Sequence, residues 1–136
     1  MGRAMNKNVL LVDDDHVFNF LSGRLFEKLG FTEGIHVAMN GAEALKLIND
    51  YYSGTQSLPD IILLYLNMPV MDGFEFIEAF HRIRMPNKDR VKIVIVSSSQ
   101  DEKDIARARS LGITHYLTKP IQEKDLLEIM NATRWG

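Results

Sequence analysis

Cysteine is absent from the 136 residues, which removes disulfides, thiolate metal sites and thiol nucleophiles from consideration and is compatible with a reducing cytosol. Proline occurs four times and glycine nine times, and no internal repeat, linker or low-complexity segment interrupts the chain. Long apolar runs are missing too. The longest spans Ile61 to Leu66, far short of the roughly 20 residues that cross a bilayer, and Met1-Gly2-Arg3-Ala4-Met5 lacks the apolar centre of a signal peptide. These absences lead us to expect a soluble, cytoplasmic protein with no membrane association. Charge of one sign is also lacking: 16 basic against 18 acidic residues give a net charge of −2. No basic field argues for nucleic acid, and no acidic tail argues for disorder. What remains is a chain of the length of one domain, able to bury a core without staples.

Apolar runs and helical patterns alternate along it. Val9-Leu10-Leu11-Val12, followed by Asp13-Asp14-Asp15, reads as a buried strand. Phe18, Leu21, Leu25 and Leu29 recur at helical spacing up to Gly30, predicting an amphipathic helix with a glycine stop. Ile35 and Val37 suggest a short second strand. Asn40 and Glu43 have capping-box spacing ahead of Ala42, Leu45 and Ile48, with a polar loop around Ser53-Gly54-Thr55. A third strand, Ile61 to Leu66, stops at Asn67-Met68-Pro69. Asp72 and Glu75 repeat the capping box before Phe74, Ile77 and Phe80, and Met85-Pro86-Asn87 breaks that helix. Val91 to Val96 is a fourth strand. Ser99 and Glu102 suggest a third capping box for a helix from about Asp101 to Leu111, closed by Gly112. His115 to Thr118 is a fifth strand, and a last helix carries Leu126, Leu127 and Met130.

Five strands alternating with helices imply βαβ units, a parallel sheet covered on both faces, and a doubly wound, flavodoxin-like order 2-1-3-4-5. In such sheets ligands sit beyond the carboxyl ends of the strands. Collected there are Asp13, Asp14 and Asp15 after strand one, Tyr65 and Asn67 at strand three, Ser97 after strand four and Lys119 after strand five. Adjacent carboxylates repel unless a cation sits among them, and Mg²⁺ is the usual hard-ion solution. A hydroxyl and an ammonium converging on the same place suit phosphoryl oxygens. Scattered His16, His36, His81 and His115 have no metal-ligand spacing.

VDDD at Val12 to Asp15, NMPVMDG at Asn67 to Gly73, IVSS at Ile95 to Ser98 and Lys119-Pro120, in that order, resemble the response-regulator receiver domain of two-component signalling, in particular the single-domain chemotaxis type. The resemblance implies a receiver over residues 7–131, with 1–6 a disordered or cloning-derived end and 132–136 a tail. It implies that Asp13 and Asp14 bind Mg²⁺ with the backbone carbonyl of Asn67, that Ser97 and Lys119 contact a phosphoryl group, and that Ser97 and Tyr116 form the switch. It also implies a cis Lys119-Pro120 bond, a sensor histidine kinase or phosphotransfer protein upstream, and an output partner meeting roughly 101–131. Protein binding is the expected activity, not catalysis, nucleic-acid binding or turnover of a small molecule, and no effector domain is expected after the last helix.

One position departs from the family. Tyr65 stands where the resemblance places the phosphoacceptor aspartate. A phenol forms a stable aryl ester where a carboxylate forms a reactive acyl phosphate, so phosphorylation at the usual position is not expected and the Mg²⁺ site is expected to be weak or absent. A naturally degenerate receiver and an ordinary regulator carrying an Asp-to-Tyr change both fit. Tyrosine phosphorylation is a third reading. An alternative from another class is a haloacid-dehalogenase-like phosphatase, for which VLLVDDDHV offers Asp13 as nucleophile and Asp15 as general acid.

Overall fold

Val9–Val12, here β1, is buried along its whole length, because the sheet it joins is covered on both faces. In a computed structural model, which describes residues 8–30, 34–53, 58–86 and 88–132, β1 is followed by α1 (His16–Lys28), β2 (Ile35–Ala38), α2 (Gly41–Ser53), β3 (Ile61–Tyr65), α3 (Gly73–Arg82), β4 (Lys92–Ser97), α4 (Glu102–Ser110), β5 (His115–Thr118) and α5 (Glu123–Ala132). A short 3-10 turn, Lys88–Arg90, precedes β4. The strands form one parallel sheet of order β2-β1-β3-β4-β5, the flavodoxin-like order that alternating strands and helices imply. Of the loop around Ser53-Gly54-Thr55, Gly54 and Thr55 lie outside the described residues, as does Trp135.

Alternation along the strands separates two cores. Leu10, Val12, Ile62, Leu64 and Ile95 pack with α2 and α3 through Ala44, Ile48, Phe74, Phe76, Ile77 and Phe80. Val9, Leu11, Ile61, Leu63, Val94 and Val96 face the opposite layer, meeting Phe26 of α1 and Leu126 and Ile129 of α5. Strands buried on both faces must be apolar at consecutive positions, hence their unbroken runs. From α4 only Ala108 is buried, so its ends matter: Arg107 lies 4.3 Å from the Phe74 ring centroid and 3.5 Å from Glu78 Oε2.

Three local expectations are corrected. The buried positions of α1 are Asn19, Ser22 and Phe26, while Leu21 is 56% exposed. Asn19 wins an inward place because its Nδ2 donates to the Asp13 carbonyl at 2.8 Å, just beyond β1, and Phe18, Leu25 and Leu29 flank the buried line. In α4 the N-cap is Asp101, accepting from the Lys103 amide at 2.9 Å; Ser99 donates its amide to Ser97 Oγ instead. On α5 the residue beside Leu126 in the core is Ile129, and Leu127 is exposed. Asp72 and Glu75 do form a capping box. Asn40 Oδ1 caps α2 through the Glu43 amide, whereas Glu43 reaches back to the Met39 amide.

The segment after β3 is tightly bound. Gly73 donates to the Leu66 carbonyl at 2.9 Å, and a Cβ there would lie 2.9 Å from the Tyr65 carbonyl oxygen. Only glycine allows this approach. Val70 has φ of 71° and is 82% exposed, a conformation that a β-branched residue holds only under strain. Its neighbours impose it, through Met71 N–H to Pro69 O at 2.7 Å and Gly41 N–H to Met71 O at 3.0 Å.

At the opposite end of the sheet, Lys88 Nζ donates to the carbonyls of Phe80, His81 and Ile83 at 3.0, 2.8 and 2.7 Å, neutralising the carboxyl end of α3. Lys88→Met should lower the unfolding free energy by about 1–2 kcal/mol in urea titrations, and an unchanged midpoint would remove Lys88 from this role. Burial, and secondarily Lys92, holds the His115 imidazole below its ordinary pKa. The unfolded chain therefore binds the extra proton, and stability should fall as pH drops below about 6.5. His115→Gln should flatten that part of the stability–pH curve, and parallel curves for the two proteins would contradict the assignment.

Candidate functional site

Parallel register brings the sequence-distant polar residues to one edge. Val12 lies opposite Leu64, Tyr65 opposite Val96, and Ser97 opposite Thr118. Asp13, Tyr65, Ser97 and Lys119 therefore leave or end their strands side by side.

Asp13 is buried. Its Oδ1 accepts the Asp15 amide at 3.0 Å, and its Oδ2 lies 3.0 Å from Lys119 Nζ, an ion pair without hydrogen-bond alignment. Burial pushes the Asp13 carboxyl above its ordinary pKa; Lys119 and the Asp15 amide pull it back only in part. The second carboxylate near the ammonium belongs to Asp15, with Oδ2 at 3.8 Å; Asp14 and Asp15 are both exposed. Asp15 also caps α1, accepting the Val17 and Phe18 amides at 3.0 and 3.1 Å. The Phe18 amide is the main cause holding its carboxyl below the ordinary value.

Lys119 is fixed at both ends. Its backbone N–H donates to the Ser97 carbonyl at 2.8 Å, and the peptide bond to Pro120 is cis. Its Nζ sits 4.0 Å from the Tyr65 ring centroid and 4.2 Å from that of Phe18, so two π-faces and two carboxylates surround one cation. The Tyr65 hydroxyl hydrogen-bonds Ser98 Oγ at 2.8 Å. Ser97 is buried and its Oγ accepts the Ser99 amide at 3.3 Å. Asn67 is exposed in the loop after β3. The Tyr116 ring packs against the core on the α2–α3 side, with its hydroxyl buried and making no hydrogen bond.

The structure thus gathers Asp13, Asp15, Tyr65, Ser97 and Lys119. Two participants escaped the sequence reading. The apolar pattern marks Phe18 as a core position, although a residue three beyond an N-cap at this edge can also face the site. Ser98 closes the IVSS motif, but nothing in the pattern assigns its side chain a partner. Among the described residues no group of three or more His, Cys, Asp or Glu side chains is arranged to hold a metal ion. No described helix is long and apolar enough to cross a membrane.

Comparison with known proteins gives a consistent picture. The family model described as "Response regulator receiver domain" matches residues 9–131. The chain is 34% identical over 118 residues to the "Probable methanogenesis regulatory protein FilR2" of Methanothrix harundinacea, covering 87% of this chain and 75% of that protein. It is 28% identical to "Sporulation initiation phosphotransferase F" of Bacillus subtilis, covering 96% and 93%. Other relatives are much longer: the chain spans 34% of one regulator and 4% of a hybrid histidine kinase. A two-component response regulator from Cytophaga hutchinsonii superposes with a TM-score of 0.82 at 31% identity, covering 92% of this chain and 94% of that one.

Removing Lys119 leaves the buried Asp13 without its counter-charge. Lys119→Met should destabilise the fold at pH 7 by about 3 kcal/mol, and adding Asp13→Asn should recover most of that loss, since the neutral amide needs no cation. Equal and additive losses in denaturation of the two single variants and the double variant would show the pair to be uncoupled.

Proposed function

The chain belongs to the response-regulator receiver family, and on that premise we propose that it is a receiver whose phosphoacceptor position is filled by Tyr65, so that it takes no phosphoryl group there and signals by binding protein partners. Two-component signalling is the setting that the family gives, and receiver domains are generally signalling modules without catalytic activity of their own. The observation that carries the reading is the place of Tyr65. It ends β3 between Asp13 and Ser98, with its ring against Lys119 and its hydroxyl bonded across to β4's end. A phosphoacceptor carboxylate at this point would face the same lysine and hydroxyls. The phenol instead engages them itself, and a phosphoryl group on it would be a stable ester.

Receiver domains typically bind Mg²⁺. In this chain Asp13, Asp14 and the Asn67 carbonyl are the donors assigned to it, and they fit a divalent ion poorly. Lys119 is already 3.0 Å from Asp13 Oδ2, and the family's third carboxylate is absent at position 65. We therefore read Mg²⁺ binding as weak or absent. Ser97 and Tyr116 keep the switch assignment, and Lys119 that of phosphoryl contact in a chain with an acceptor. A sensor histidine kinase or phosphotransfer protein remains the upstream partner by family, in the cytoplasm, with an output partner on residues 101–131. The phosphatase alternative is not supported, since the family match is to receivers and Asp15, its general acid, is engaged as a helix cap.

Incubation with acetyl phosphate and Mg²⁺, followed by intact mass measurement, tests this. The wild type should gain no phosphoryl mass, whereas Tyr65→Asp should gain one. A base-labile adduct on the wild type would overturn the reading.

A further inference from the structure

We propose that the Tyr65 hydroxyl is a built-in tether for the β4–α4 loop. It holds Ser98, and through it the start of α4, in a single arrangement that needs no incoming phosphoryl group. The inference rests on the reading of Tyr65 given above and adds a positioning role for the side chain found there.

Little else secures this segment. β4 ends at Ser97 and α4 begins at Glu102. Ser98, Ser99 and Gln100 between them are exposed. Helix α4 sends one residue, Ala108, into the core, and its other side-chain anchor, Arg107 on Phe74 and Glu78, is near its carboxyl end. At its amino end, Asp101 caps the helix from within, through the Lys103 amide. Such a segment opens locally at small cost unless something outside it takes hold.

Among the described residues, two contacts do so at the loop's start. The Ser99 amide bonds back to Ser97 Oγ at 3.3 Å, which ties the loop only to its own strand. The Tyr65–Ser98 bond, at 2.8 Å, is the contact that crosses to another strand. Tyr65 can serve as a fixed post because its ring is braced on Lys119, which is held in turn by Asp13 and by its own amide on the Ser97 carbonyl. Braced at one end and bonded at the other, the phenol spans the gap between the ends of β3 and β4.

Hydrogen–deuterium exchange of the full chain, read by peptide mass, tests the tether with four variants. Tyr65→Phe keeps the ring on Lys119 and removes only the hydroxyl; Ser98→Ala removes the partner. Each should speed exchange of amides 98–104 by about three- to tenfold, as the loss of one hydrogen bond implies, with β1 and β5 unchanged. The double variant should be no faster than either single one, and Ser98→Thr, which retains a hydroxyl, should restore slow exchange. Unchanged exchange in Tyr65→Phe, additive effects in the double variant, or equal acceleration in Ser98→Thr would each overturn the tether. The outcome is separable from that of the acetyl phosphate experiment: an adduct on the wild type with exchange behaving as described would defeat the proposed function and leave the tether standing.

Discussion

A single ammonium group holds this sheet edge together. Asp13 is a carboxylate with almost no access to water, a state that proteins sustain only by protonating the group or placing a cation against it. Lys119 supplies the cation from the other side of the sheet, across β3 and β4. Other groups at the edge gather around that ion pair. The Asp15 amide takes the second oxygen of Asp13, Asp15 adds a more distant oxygen to the ammonium, and the rings of Phe18 and Tyr65 close over it.

This arrangement gives Tyr65 two uses that a carboxylate at the same place would not combine. Its ring face stabilises a cation without carrying a charge of its own, so position 65 adds no anion to compete with Asp13 for Lys119. Its hydroxyl extends beyond the ammonium to Ser98. A short carboxylate would compete for Lys119 as an anion and leave that reach to a bound group. On the proposed reading, the phenol offers a neutral ring to the ammonium and a hydroxyl to Ser98.

Much of this was legible in the sequence. Runs such as Val9–Val12 and Ile61–Leu64 are apolar at consecutive positions because both faces are covered, and that pattern with alternating helices was enough for the strand order. The polar residues after each strand followed from the rule that sites lie at carboxyl ends. What the pattern hid were choices between neighbours. Leu21 fits a helical apolar stripe and Ser22 does not, yet the inward line runs through Asn19, Ser22 and Phe26 because Asn19 satisfies the carbonyl of Asp13. Asp101 outcompetes Ser99 as a cap because it directly precedes the helix, while Ser99 turns back to Ser97. Ser98 could be distinguished from its neighbours only by a contact 33 positions away.

That separation bears on how the edge comes into being. Every strand contributing to it is joined to the next through a helix-bearing crossover, so none of the decisive contacts is local. Loop closures must be made before Asp13 meets Lys119 or Tyr65 meets Ser98. The constellation is therefore a property of the completed sheet. No fragment that lacks β5 can assemble it, and a nascent chain acquires it only once Lys119 has been synthesised and seated.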